Sequence, residues 1–289
     1  MLRPWKIISF PYAMPILTLA VMGLSAWYVP AVALDPWNLI NLNKILTMIF
    51  ALTFIQFFSV FMNRFLGVKM GAIMTGFFGG LISSTATTAT LARNSKINNT
   101  PDNVNEVLIF LSATGAMLIE AAVLVWSGTN REHLDIMIVF IGPMIATLLL
   151  LVLYSKKGSE KNIQAEEIPF EILPILKLAM FIIGILLMSK LLQNFFGQYG
   201  IMILTFLVSL FEIHGSVMAN VQLHEDGVVG TTLLGSLVCI SIVSSSISKF
   251  FLIFTLGNSN LRRPVFKCTA ILFFLLFINW VIFVQLLRS

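Results

Sequence analysis

The chain consists of apolar runs of membrane-crossing length with very little between them. A helix rises about 1.5 Å per residue, so about 20 apolar residues cross the hydrocarbon core of a bilayer. Nine segments qualify: 12–34, 45–63, 70–92, 105–127, 136–154, 172–194, 200–222, 228–256 and 265–287. Between them there is no room for a soluble domain. Asp, Glu, Lys and Arg make up 11% of the 289 residues, where an ordinary soluble domain has about 25%. A soluble fold of this composition could not cover its own outside. A cytosolic enzyme, a nucleic-acid reader and a disordered scaffold are therefore excluded. The net charge of +5 is spread over short loops instead of forming a basic patch. The reading is an all-α polytopic membrane protein of the cell (inner) membrane, with the lipid bilayer as its first partner. Cys239 and Cys268 both lie in apolar stretches, so neither a disulfide framework nor a cysteine metal site is indicated.

Two segments are unsuited to plain spanning helices. Segment 70–92 carries Gly71, Gly76, Gly79 and Gly80, followed by Ser83, Ser84, Thr85, Thr87, Thr88 and Thr90. Segment 200–222 places Glu212, His214, Gly215, Ser216 and Asn220 in its middle. Broken backbone at membrane depth is tolerated only where it is buried or lines a cavity. Counting basic residues separates two topologies. With nine spans, Lys and Arg divide almost evenly between the two sides. If both suspect segments leave on the side they enter, twelve fall inside (Arg3, Lys6, Arg64, Lys69, Arg93, Lys96, Lys156, Lys157, Lys161, Arg262, Arg263 and Lys267). Only Lys44, Arg131 and Arg288 fall outside, and cytoplasmic loops are the ones enriched in Lys and Arg. The favoured layout has about seven spanning helices, two broken or re-entrant segments and a cytoplasmic N-terminus; nine spans is the alternative.

That layout implies two structural repeats, inverted as in many secondary transporters. The domains read as an N-terminal transmembrane helix over 1–34, a first membrane repeat over 35–154, a polar cytoplasmic loop over 155–171 and a second repeat over 172–289. Ala31-Val32-Ala33 is a weak signal-peptidase pattern, and a retained first helix is the preferred reading. The two repeats share a spacing. Ser83 lies 37 residues before Glu120, and Glu212 lies 37 residues before Lys249. If the two suspect segments span, the same units become parallel repeats instead.

Residues 66–96, LGVKMGAIMTGFFGGLISSTATTATLARNSK, resemble the multi-pass membrane domain family associated with MgtC/SapB-type proteins. The resemblance rests on Gly79, Gly80, Leu81, Ser83, Ser84, Thr85, Ala86 and Thr88, followed by Arg93 and Lys96. Pro36-Trp37 and the stretch from Phe170-Glu171 to Lys177 fit more weakly, and the likeness covers roughly 36–257. It implies a link to magnesium or other ion homeostasis. The chain departs from the family pattern at its second motif, similar to Asp-x-Asp-Ala, where Glu212, His214 and Gly215 stand. It also has Glu120 where the family resembles Arg, and Ser245 where Asn often precedes the Lys.

Ionisable groups within a bilayer are expensive and usually functional. Lys177, Lys190 and Lys267 lie near segment ends, where their stems can snorkel. Glu120 and Lys249 lie deeper, as a structural ion pair or as part of an ion or proton path. Glu212 and His214 could hold an ion or metal, since a carboxylate suits hard cations and an imidazole suits transition metals. They could equally relay a proton, or form a hydrogen-bonded kink. Ser83, Ser84, Thr85, Thr87, Thr88 and Ser216 are the remaining candidate ion- or substrate-binding residues. Their hydroxyls can line a site or satisfy backbone freed by the break. A hydroxyl nucleophile needs a nearby base. His133 and His224 are expected in loops, so no enzyme activity, catalytic residue or cofactor is expected. Trp5, Trp27, Trp37 and Trp126 fall near segment ends, as interfacial residues do.

The expected function is a membrane transporter or channel for a small inorganic ion (a cation or metal, or proton-coupled) with its site between the two broken segments. The alternative is a non-transporting membrane partner or sensor linked to magnesium homeostasis. The ion's identity and self-association into a homo-oligomer stay open. The charge count predicts that cysteines placed at Lys69 and Lys96 label from the same, cytoplasmic, face. Labelling from opposite faces would exclude a re-entrant 70–92.

Overall fold

The computed structural model describes residues 13–30, 41–66, 71–98, 103–129, 134–156 and 172–287. They form ten α-helices: α1 (Ala13–Tyr28), α2 (Leu42–Leu66), α3 (Ala72–Asn98), α4 (Val104–Gly128), α5 (Ile138–Ser155), α6 (Ile172–Phe196), α7 (Gln198–Ser209), α8 (Ile213–Glu225), α9 (Thr231–Leu256) and α10 (Ser259–Leu286). A 3-10 turn, Leu134–Met137, precedes α5. Among the described residues, six helices are long and apolar enough to cross a membrane: α2, α4, α5, α6, α9 and α10. The first segment, expected to be a seventh span, is a helix of 16 residues among those described. Pro30 follows, and a residue before proline is pushed out of the helical region. The charged stretch 157–171, Trp5, Trp37, Arg64, Lys69 and His133 lie outside the residues or side chains described.

Each suspect segment is broken, at matching positions. Ser83 interrupts α3 with φ −164° and ψ 101°. Glu212 separates α7 from α8 with φ −145° and ψ 102°. At each break the chain doubles back. Gly79 and Thr87 flank Ser83 symmetrically, and a methyl group placed on Gly79 would lie 2.8 Å from Thr87 Oγ1. In a straight helix those residues would be about 12 Å apart along the axis. In the second segment Thr205 Oγ1 donates to Asn220 Oδ1 at 3.1 Å, where a straight helix would separate them by about 22 Å. Both segments are therefore helical hairpins.

The hairpins open toward opposite ends of the bundle. Lys44, at the start of α2, pairs with Glu225 at 3.5 Å and Asp226 at 3.8 Å, at the mouth of the α7–α8 hairpin. At the other end, where α9 finishes, the Asn258 N–H donates to Ser95 Oγ at 3.1 Å on the returning arm of α3. Each hairpin is preceded by one long helix (α2 or α6) and followed by two (α4 and α5, or α9 and α10). This is an inverted arrangement of two like units, with the break residues Ser83 and Glu212 in register.

Close packing locates the first hairpin. Gly76 lies against the backbone of Ile109, and Gly80 against Ala113 and Ala116 of α4. Small residues spaced by four let helices approach where burial from water supplies no drive. Gly197, with φ +60°, makes the reversal between α6 and α7, a conformation that favours glycine. Serines from neighbouring helices reach carbonyls near each break: Ser59 Oγ donates to Phe78 O and Ser244 Oγ to Phe206 O, both at 2.5 Å. α4 is the central helix, buried along most of its length. The outward faces of α5, α6 and α10 expose Leu148, Leu149, Met188, Leu191, Phe274 and Phe277, which suits contact with lipid acyl chains.

Replacing Gly80 with Val should lower thermal stability in detergent by about 1–3 kcal/mol, because the added methyl would meet the Ala113 backbone at 2.6 Å. Gly184→Ala, which meets nothing within 4 Å, serves as the neutral control.

Candidate functional site

The second break builds a polar centre from its own cap. Glu212 is extended, so its carboxylate turns back to accept from the first free N–H groups of α8, as an N-cap does. Oε1 accepts from the His214 backbone N–H at 3.0 Å and lies 3.0 Å from His214 Nδ1. The other ring nitrogen, Nε2, lies 3.0 Å from Glu120 Oε2 on α4. The imidazole therefore stands between two carboxylates. Side-chain exposure falls along the series, from 40% for Glu212 to 10% for His214 and 0% for Glu120.

The two links differ in kind. The Glu212 link is a hydrogen bond. The Glu120 link is a close charge contact, and among the described residues both Glu120 oxygens and His214 Nε2 are buried without a partner in hydrogen-bond geometry. A neutral imidazole has one N–H and can donate to one carboxylate at a time; only the imidazolium donates to both.

Lys249, on α9, is 1% exposed. Its Nζ contacts Met117 Sδ at 2.6 Å, and Ser245 Oγ donates to the same sulfur at 3.4 Å. A thioether is a weak acceptor for an ammonium group. Lys249 is within electrostatic reach of Glu120 and Glu212. No ion pair within 4.0 Å joins it to either among the described residues. The centre thus gathers two carboxylates, one imidazole and one lysine amine from three elements.

The predicted site residues are only partly brought together. Glu212, His214 and Glu120 are in contact, with Lys249 close by. Ser216, one turn into α8, places its Oγ 3.5 Å from Ser241 Oγ of α9. Two hydroxyls of the α3 segment bond its own backbone: Ser83 Oγ accepts from Ala86 N–H at 3.2 Å, and Thr88 Oγ1 donates to Ser84 O at 2.7 Å. Thr87 packs on Gly79, and Thr85 is half-buried. The sequence placed these hydroxyls opposite Glu212 and His214. In the structure His214 meets Glu120 instead, and no hydrogen bond joins the two tips among the described residues.

Both ring nitrogens of His214 face carboxylates, so a metal at that residue would have to displace one of them. Among the described residues no group of three or more His, Cys, Asp or Glu is placed to hold a metal ion. His224, expected in a loop, lies in the last turn of α8 with Nδ1 2.8 Å from Val229 O. Sequence reasoning passed over Met117 and left Ser245 outside the candidate site. Met117 lies three residues before Glu120, and Ser245 four before Lys249, both spacings that share a helix face.

Residues 51–257 match the model of a family described as a domain of unknown function (DUF4010). The chain belongs to the DUF4010 family. The matched stretch runs from within α2 to the end of α9, so it contains both hairpins and all four charged groups of the centre. Nothing in that match ties the DUF4010 family to MgtC/SapB-type proteins. No curated protein and no solved structure matches the chain.

A double-mutant cycle tests whether the centre is one electrostatic unit. Lys249→Met alone should destabilise the detergent-solubilised protein by about 3 kcal/mol, since it strips a buried carboxylate of its countercharge. Adding Glu120→Gln should recover much of that loss. Strictly additive effects would show that the two groups are uncoupled.

Proposed function

We propose that the protein is a transporter or channel for a small inorganic ion, with its site at the hairpin tips. One observation carries the reading: Glu120 is fully buried, and among the described residues its carboxylate closely meets one side chain, the ring of His214 at 3.0 Å. An undercoordinated carboxylate inside a membrane protein is costly as a structural element, and such groups mark ion and proton pathways. Its position supports the same reading. Hairpins that enter from opposite ends interrupt the helices near mid-depth, where discontinuous helices of secondary transporters hold their substrates. The basic-residue count supports placing the N-terminus and the mouth of the first hairpin on the cytoplasmic side.

Ser83, Ser84 and Thr85 belong to this proposal as the tip of the other hairpin. The test is a triple alanine variant in proteoliposomes, with ion flux and thermal stability measured on the same preparation. If the tip lines the path, flux should fall by about tenfold or more, equivalent to about 1.4 kcal/mol, while the protein stays folded. If the hydroxyls only satisfy kinked backbone, the variant should lose stability, at about 1–3 kcal/mol per unmet buried group, and keep its flux per folded molecule. Absence of any ion-dependent flux in the unaltered protein would favour a non-transporting membrane partner or sensor.

A further inference from the structure

We propose that the ion handled at this site is the proton, and that Glu212, His214 and Glu120 carry it in series. This rests on the transport reading above and names its substrate. The three groups are linked end to end, with 3.0 Å between Glu212 Oε1 and His214 Nδ1 and 3.0 Å between His214 Nε2 and Glu120 Oε2. Those are proton-transfer distances. Their exposure decreases in the same order, from the partly open Glu212 to the fully buried Glu120. An imidazole with a carboxylate at each nitrogen is a two-ended relay, since one nitrogen can take a proton as the other gives one up.

The step balances without a co-reactant. A proton that arrives on Glu212 passes from its carboxyl to His214 Nδ1, restoring the Glu212 carboxylate. The imidazolium then releases its Nε2 proton to Glu120 Oε2, leaving neutral imidazole and a neutral Glu120 carboxylic acid. The ring accepts at Nδ1 in the tautomer that carries its hydrogen on Nε2, and ends as the Nδ1–H tautomer.

The charged surroundings fit a single positive charge. Lys249 of α9 is the remaining ionic neighbour of Glu120 and Glu212. α2 and α6 also pack against α8 and contribute no charged group to the centre among the described residues. With Lys249 and the imidazole both protonated, the two carboxylates are balanced; with the imidazole neutral, one negative charge remains. One proton therefore moves the centre between neutral and singly negative. Lys249 stands where Glu120 stands in the other repeat, a tethered cation at the position related to the proton-accepting acid.

The test uses the full-length protein in liposomes containing a pH-sensitive dye. A potassium gradient with valinomycin sets the driving voltage. The unaltered protein should acidify the lumen. Glu120→Gln and His214→Gln should each reduce the initial rate by about tenfold or more, and Glu120→Asp should restore part of it. Because either variant could fail to fold, each is checked for monodisperse elution. A second readout is independent of flux: the infrared carbonyl band of a protonated carboxylic acid should change with pH in the unaltered protein and vanish in Glu120→Gln. Flux of another ion without proton flux, or undiminished proton flux in both variants, overturns the relay and leaves the transport reading standing. Absence of flux for every ion tested overturns both.

Discussion

Inside a bilayer no water is available for a broken helix, so every backbone group freed by a break must find a partner in the protein. The architecture follows from meeting that requirement twice. At Ser83 the side chain caps the returning arm through the Ala86 N–H, and Ser59 reaches the Phe78 carbonyl from α2. At Glu212 the carboxylate caps α8, and Ser244 reaches the Phe206 carbonyl from α9. Once each break is capped, the two arms can run side by side. That requires a small residue, and Gly79 against Thr87 allows it, while Gly76 and Gly80 let the hairpin pack closely on α4. Glycines, hydroxyls and capping groups are parts of one solution to one solvation problem.

The same requirement explains why charge collects at the tips. A cap can be a hydroxyl or a carboxylate. The first hairpin uses serine, which leaves no ionic charge to balance. The second uses Glu212, whose negative charge also favours the start of α8 through the helix dipole. That carboxylate needs neighbours, and it finds the ring of His214 from its own helix. The ring in turn reaches Glu120 on α4, and Lys249 brings its amine from α9 within electrostatic reach of both carboxylates. Beginning from a capping requirement, packing assembles four ionisable groups at one centre, three of them buried.

The fold was largely legible because breaks in membrane segments violate a strong rule. A run with four glycines and seven hydroxyls cannot behave as an ordinary span, and neither can one with Glu212 and His214 at its centre. The matched spacing from Ser83 to Glu120 and from Glu212 to Lys249 identified the residues that prove to be extended in the structure. Two features were harder to see. The partner of His214 was out of reach because contacts between helices depend on rotation about each axis, and periodicity carries little information when a helix is apolar on all sides. The hydroxyls of α3 drew attention as ligands because a sequence does not reveal which oxygen bonds its own backbone. Thr88 and Ser83 do so. The start of α10 was misplaced for a simpler reason: Asn258 caps the helix through Asn260 N–H, and the charged first turns were discounted as loop.

The two halves agree in backbone and disagree in charge. Ser83 and Glu212 are equivalent positions, as are Glu120 and Lys249, and each pair contrasts a group of one character with another. In an inverted pair with identical side chains, the centre would look the same from both membrane faces. Here the acid–imidazole cap belongs to one tip only, and the acid that receives it belongs to the opposite repeat. The electrostatic centre therefore lies across the junction of the halves, where any movement of one unit against the other changes the His214–Glu120 contact first. That contact is also the one without hydrogen-bond direction, whereas the Glu212–His214 link within α8 is doubly bonded. The firm link lies within one unit and the loose link lies between units, so the packing of the two units against each other sets the geometry of the centre.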